Sequence, residues 1–121
     1  MTLHRSAPVT QTLIELYDPK PAWLMLSAKE REAIFTRIGA SMGDILALGV
    51  EPIAFGEVAG AIPHGAAQRF FAVWRAPDPS TLDALIAGIA ASGWHDYFAT
   101  ANVAGAGVDL TEHLGQLAAV R

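Results

Sequence analysis

Cysteine is absent from the 121 residues. That excludes disulfides, thiolate metal sites and a cysteine nucleophile, and it fits a reducing compartment such as the cytoplasm. Long apolar runs are also missing. No stretch approaches the roughly 20 uncharged apolar residues of a membrane span. No apolar segment follows His4 and Arg5 near the N-terminus, so a signal peptide is not expected. Basic clusters are lacking: eight Lys and Arg stand against twelve Asp and Glu, for a formal net charge of −4. A nucleic-acid partner and an anionic membrane surface are thereby disfavoured. No Gly-x-Ser-x-Gly elbow occurs. Gly105-x-Gly107 has neither the third glycine nor the strand–helix setting of a dinucleotide loop. His4, His64, His95 and His113 are scattered, with no i, i+4 pair, so no metal site and no cofactor is expected.

Apolar residues are plentiful, at 52% of the chain with a mean hydropathy of +0.32. A domain of this size has too much surface per volume to hide that content alone. The surplus points to a partner interface or an apolar pocket. The length fits one domain covering residues 1–121.

Val9 to Tyr17 reads as a strand. Thr12, Ile14 and Leu16 share one face, and Gln11, Leu13, Glu15 and Tyr17 the other. The bulky Ile14 and Leu16 suit packing against helices, which would turn Glu15 towards the open side of the sheet. Asp18-Pro19-Lys20-Pro21 should stop the strand. Ser27 and Glu30 form a capping box ahead of a long helix with Ile34, Ile38, Met42 and Ile45 on its inner stripe. Gly39 and Gly43 in that helix suggest close approach of another backbone, and Gly49 suits a left-handed helix end. Val50 to Val58 reads as a second strand, placed at a sheet edge by Pro52. Ala59 to Gln68 is a loop of small residues. Arg69 to Arg75 is apolar on both faces and reads as a central strand. Asp78-Pro79 opens a second helix with Leu82, Leu85, Ile86 and Ile89 inward, ended by Gly93. His95 to Val103 reads as a fourth strand, Gly105–Gly107 as a turn and Asp109 to Val120 as a short helix. The order strand–helix–strand–strand–helix–strand predicts an α+β ferredoxin-like fold: four antiparallel strands with both helices on one face. A second copy facing the bare side of the sheet would bury it, so a homodimer through the open sheet face is expected.

The segments Tyr17–Leu26, Gly49–Gly56, Phe70–Arg75 and Ala91–Val103 resemble an uncharacterised bacterial family of the dimeric α+β barrel superfamily. The resemblance spans roughly Leu13 to Val103. It implies a ferredoxin-like protomer and a dimer barrel with a pocket inside. The superfamily includes cofactor-free monooxygenases, isomerases, polyketide cyclases, haem-binding enzymes and stress-responsive proteins. It therefore speaks to fold more than to chemistry.

Three residues are candidates for catalysis. Glu15 inside a strand is either a carboxylate tuned upward by burial, usable as a general base, or the partner of Arg69 or Arg75 at the sheet rim. His64 is either a proton carrier on a closing loop or an exposed loop histidine. Tyr97 alternates with His95 across Asp96, so both would share one face of the fourth strand; with Asn102, on the opposite parity unless a bulge intervenes, they could bind a carbonyl or an enolate. Trp23, Phe55, Phe70, Trp74 and Trp94 could line a pocket for a flat ligand, or pack in the core or the dimer interface. These residues point to a cofactor-independent enzyme that moves protons on a small apolar or aromatic carbonyl compound. A non-catalytic ligand-binding or stress-response protein and a haem enzyme are the alternatives.

Overall fold

The computed structural model describes residues 9–121. The segment carrying His4 and Arg5 lies outside the described residues. Four strands form one antiparallel sheet in the order β2-β3-β1-β4. β1 (Gln11–Pro19) and β3 (Phe70–Ala76) are central, and β2 (Glu51–Glu57) and β4 (Phe98–Ala106) are the edges. This is the α+β ferredoxin-like arrangement. Pro52, which has no N–H for a second neighbour, does sit in an edge strand, beside a register irregularity between Pro52 and Ala54. No helix among the described residues is long and apolar enough to cross a membrane.

β1 runs two residues past the predicted stop, with Pro19 opposite Phe98 of β4. The proline is tolerated because β3 has already left the ladder at Tyr17, so no donor is needed on that side. Pro21 opens a helical turn, α1 (Pro21–Leu24), where the sequence suggested only an apolar lead-in. The long helix α2 (Ala28–Leu46) starts as predicted. Ser27 Oγ accepts from the Glu30 N–H and the Glu30 carboxylate accepts from the Ser27 N–H, each at 3.1 Å. Gly49 has φ +101°, the left-handed conformation that favours glycine. Asp78 caps α3 (Pro79–Ala91) through the Thr81 N–H.

Two clusters make the core. One joins Leu13 of β1 and Ala76 of β3 to Leu82, Leu85 and Ile89 of α3, with Val50 beside them. The other joins Trp23, Ile34 and Phe98. Trp94 packs against both.

Three expectations need correction. Leu13 and Glu15, not Ile14 and Leu16, face the helices: Leu13 is 1% exposed and packs against α3, whereas Thr12, Ile14 and Leu16 stay half-buried on the bare face. Apolar residues occupy both parities of β1, so bulk alone does not select the inner one. The fourth strand begins at Phe98, because Gly93 (φ +87°) reverses the chain and Trp94–Tyr97 forms the short helix α4. His95 and Tyr97 are therefore helical and do not share a strand face. Gly39 and Gly43 have nothing within 4 Å of where a Cβ would stand. The close helix contact is at Gly88, whose added Cβ would lie 3.0 Å from Ile45.

The cap at α2 generates a first prediction. Ser27→Ala removes one half of a reciprocal cap and should cost about 1 kcal/mol. The measurement is urea denaturation, with a lower midpoint and an unchanged slope expected.

Candidate functional site

Glu15 follows Leu13 on the inner face of β1 and is 3% exposed. In the β1–β3 register Leu13 lies opposite Trp74 and Glu15 opposite Ala72. The Trp74 indole therefore reaches diagonally along the inner face and donates its Nε1–H to Glu15 Oε1 at 2.8 Å. Glu15 Oε2 is buried and has no hydrogen-bond partner among the described residues. No arginine among the described residues pairs with it. Arg75 instead pairs with Glu51 at 3.8 Å, which removes the rim ion pair as the account of Glu15.

Glu15 lines a pocket of about 200 Å³ between the sheet and the helices. Tyr17, Ala72 and Trp74 line it from the central strands, and Phe55 from β2. Ile38 and Met42 of α2, Ile89 of α3 and Trp94 of α4 supply the helical side. Trp94 brings a second orphan, an indole Nε1 that is buried and unpartnered among the described residues. The Trp94 backbone is held by the Ser92 hydroxyl, which accepts from the Trp94 N–H at 3.3 Å. The pocket is thus an apolar chamber into which one carboxyl and one indole bring unpaired polar atoms. Buried polar atoms are rarely left unpaired, because each forfeits its bonds to water.

Burial pushes the Glu15 carboxyl above the ordinary carboxylate range. The Trp74 hydrogen bond and the charge of His95 pull the other way and are outweighed. Burial also raises the Tyr17 hydroxyl, and the Glu15 charge adds to the effect.

Of the residues singled out by sequence, the structure brings Glu15, Phe55 and Trp74 to this pocket. Trp23 is a core residue that lines an adjoining pocket. His64 stands in the exposed β2–β3 loop with φ 58° and lines neither pocket. His95 is exposed on α4, where its carbonyl accepts from Lys20 Nζ at 3.0 Å. Tyr97 packs on Trp23 with ring centroids 5.6 Å apart. Asn102 lies opposite Glu15 in the β1–β4 register but is exposed on the edge strand. Neither pocket is lined by a histidine, and the described residues place no group of three His, Asp or Glu to hold a metal. Trp94, marked by the sequence in the same aromatic set, also reaches this pocket. Sequence reasoning missed Tyr17, which was legible, being two residues beyond Glu15 on the same strand face.

Fold and pocket together define an α+β ferredoxin-like domain with a buried carboxyl in an apolar chamber. The chain belongs to DUF6616, a family of unknown function whose model matches residues 10–120. Among solved structures it is similar to a protein provisionally named a chlorite dismutase, with a TM-score of 0.64 and 17% identity. The match covers 91% of this chain and 48% of that one, so this chain spans about half the neighbour's length. At that identity the likeness speaks to fold. No curated protein matches the sequence.

The raised Glu15 value has a signed consequence. A carboxyl whose folded pKa exceeds its unfolded value lends stability at low pH and loses it as pH rises through the folded value. Glu15→Gln lacks that loss. Denaturation curves from about pH 4 upward should therefore show wild type losing ground to Glu15→Gln. A carbon-13 titration of the Glu15 carboxyl should place its midpoint above those of the exposed glutamates.

Proposed function

We propose that this protein is a cofactor-independent proton-transfer enzyme acting on a small apolar or aromatic carbonyl compound, with Glu15 as the base. The observation that carries the reading is Glu15, which lines a mostly apolar pocket and whose buried Oε2 is unpartnered among the described residues. Burial that raises the Glu15 carboxyl makes it a stronger base than an exposed carboxylate.

In this reading Trp74 orients the carboxyl through Oε1 and leaves Oε2 to react. Oε2 takes the proton from a carbon beside the substrate carbonyl: the C–H bond breaks, an O–H bond forms on Glu15, and the charge moves to the carbonyl oxygen. The Trp94 Nε1–H, unpartnered among the described residues, is the donor available to that oxygen. Where the substrate carries a β,γ double bond, the enolate extends to the γ carbon, and return of the proton there shifts the double bond into conjugation without any redox partner. His64 and Tyr97, which stand away from the pocket, have no part in it. A non-catalytic ligand-binding protein is the second reading, supported by the predominance of apolar side chains around Glu15.

The dimer belongs to the same proposal. Ile14 and Leu16 of β1 and their register partners Val73 and Phe71 of β3 share the side of the sheet that no helix covers, and Val103 of β4 stands 60% exposed beside Ile14. A second copy laid face to face would remove this apolar strip from water.

Light scattering at micromolar concentration should return about twice the 12.8 kDa chain mass; a strictly monomeric protein would remove the barrel. Chemistry is checked with phenylacetone in deuterated buffer, where wild type should speed exchange of the protons beside the carbonyl. Glu15→Gln should keep the fold and lose about 10² or more of that rate. Binding of the ketone with no exchange above buffer favours the second reading.

A further inference from the structure

A second cavity of about 340 Å³ adjoins the Glu15 pocket, with Tyr17 and Trp94 lining both. Its composition is different. Trp23, Phe35 and Phe70 give it aromatic walls, and Arg31 and Arg69 give it two guanidinium groups. Tyr17 separates the chambers, with its ring stacked on Phe70 at 6.0 Å and set edge-on to Trp94 at 5.2 Å.

Both arginines are held by something other than an acid. Arg31 donates from Nε and Nη2 to the Trp23 carbonyl at 3.2 and 3.1 Å, and its Cζ lies 5.3 Å from the Trp23 ring centroid. Its Nη1 has no partner among the described residues. Arg69 lies over the Phe70 ring at 5.4 Å. The nearby Asp18 is engaged elsewhere, accepting the Arg69 backbone N–H at 2.9 Å. Among the described residues the ion pair is Arg75–Glu51, outside this cavity. Two guanidinium groups without carboxylate partners among the described residues, Arg31 half-buried and Arg69 exposed, therefore line an aromatic cavity, on a chain whose net charge is −4.

We propose that this cavity is a binding site for an aromatic carboxylate. The flat body of such a ligand packs against Trp23, Phe35 and Phe70, and its carboxylate bridges the free Nη1 of Arg31 and the Arg69 guanidinium. The planar Arg69 guanidinium offers two parallel N–H donors that match a carboxylate, so the pairing is directional as well as electrostatic. The site goes beyond the proton-transfer reading and does not depend on it, because neither arginine lines the Glu15 pocket.

The test titrates the protein with naphthalene-2-carboxylate and with its neutral isostere naphthalene-2-carboxamide, by calorimetry and by nitrogen-15 NMR of the three tryptophan indoles. The carboxylate should bind at least about tenfold more tightly, the scale of one charge-assisted hydrogen bond. It should shift the Trp23 and Trp94 signals more than that of Trp74, which lines only the Glu15 pocket. Arg69→Gln should abolish most of the preference for the anion. Arg69→Lys, which keeps the charge but not the fork, should retain part of it. Arg75→Gln and Glu15→Gln should leave it intact. Equal affinities for the two probes, no binding at millimolar carboxylate, or a preference that survives Arg69→Gln would overturn the proposal. Loss of exchange chemistry in Glu15→Gln with carboxylate binding retained separates this site from the neighbouring one.

Discussion

The layout of the chain depends on which face of β1 turns inward. Leu13 is drawn into the cluster with Leu82, Leu85 and Ile89, and strand geometry then commits Gln11, Glu15 and Tyr17 to the same side. Glu15 is carried into the interior by its neighbour's packing. The Trp74 indole, from the paired central strand, makes that burial tolerable by satisfying one carboxylate oxygen. The other oxygen is left for the pocket. A single residue's slip in register would reverse all of this and put Ile14 and Leu16 against the helices.

Trp94 is the second point on which the site turns. It belongs to both core clusters and to the walls of both cavities. Its ring stacks on Phe98 at 4.1 Å, at the start of β4. It reaches that position because Gly93 takes up a left-handed conformation that ends α3 and begins the α4 turn. That turn is tied to the end of β1, where the Lys20 N–H donates to the Tyr97 carbonyl at 2.8 Å. One glycine, one indole and one long-range backbone bond thus fix the boundary between an acidic apolar chamber and a cationic aromatic one.

The helix layer covers the sheet unevenly. β2 is exposed along nearly its whole length, with Phe55 at 52%, and the first chamber opens where α2 stands off from that edge. α5 (Leu110–Ala118) carries Leu110, Leu114 and Leu117 at 71%, 55% and 55% exposure. Together with the uncovered strip around Ile14 and Val73, these residues account for the apolar surplus seen in the composition. Little of the charge is spent on structure: the Arg75–Glu51 pair is exposed on both sides, and such pairs contribute little.

Local signals were legible because they are settled within a few residues. The Ser27–Glu30 box, the Asp78-Pro79 helix start, the left-handed Gly49 and the edge position of Pro52 follow from backbone donors and dihedral limits that hold in any context. The order of elements and the ferredoxin-like sheet followed from them. The sequence also marked Glu15, Phe55 and Trp74 as candidates that the fold does bring to one pocket. It did not determine the direction of β1, since aliphatic residues on both parities satisfy a period of two equally well. Nor did it place His64, His95, Tyr97 and Asn102, whose positions depend on a loop, a four-residue helix and an edge strand. Tertiary structure decided those matters, because a side chain's face and its neighbours are set by packing between elements distant in the chain, and no local preference encodes them.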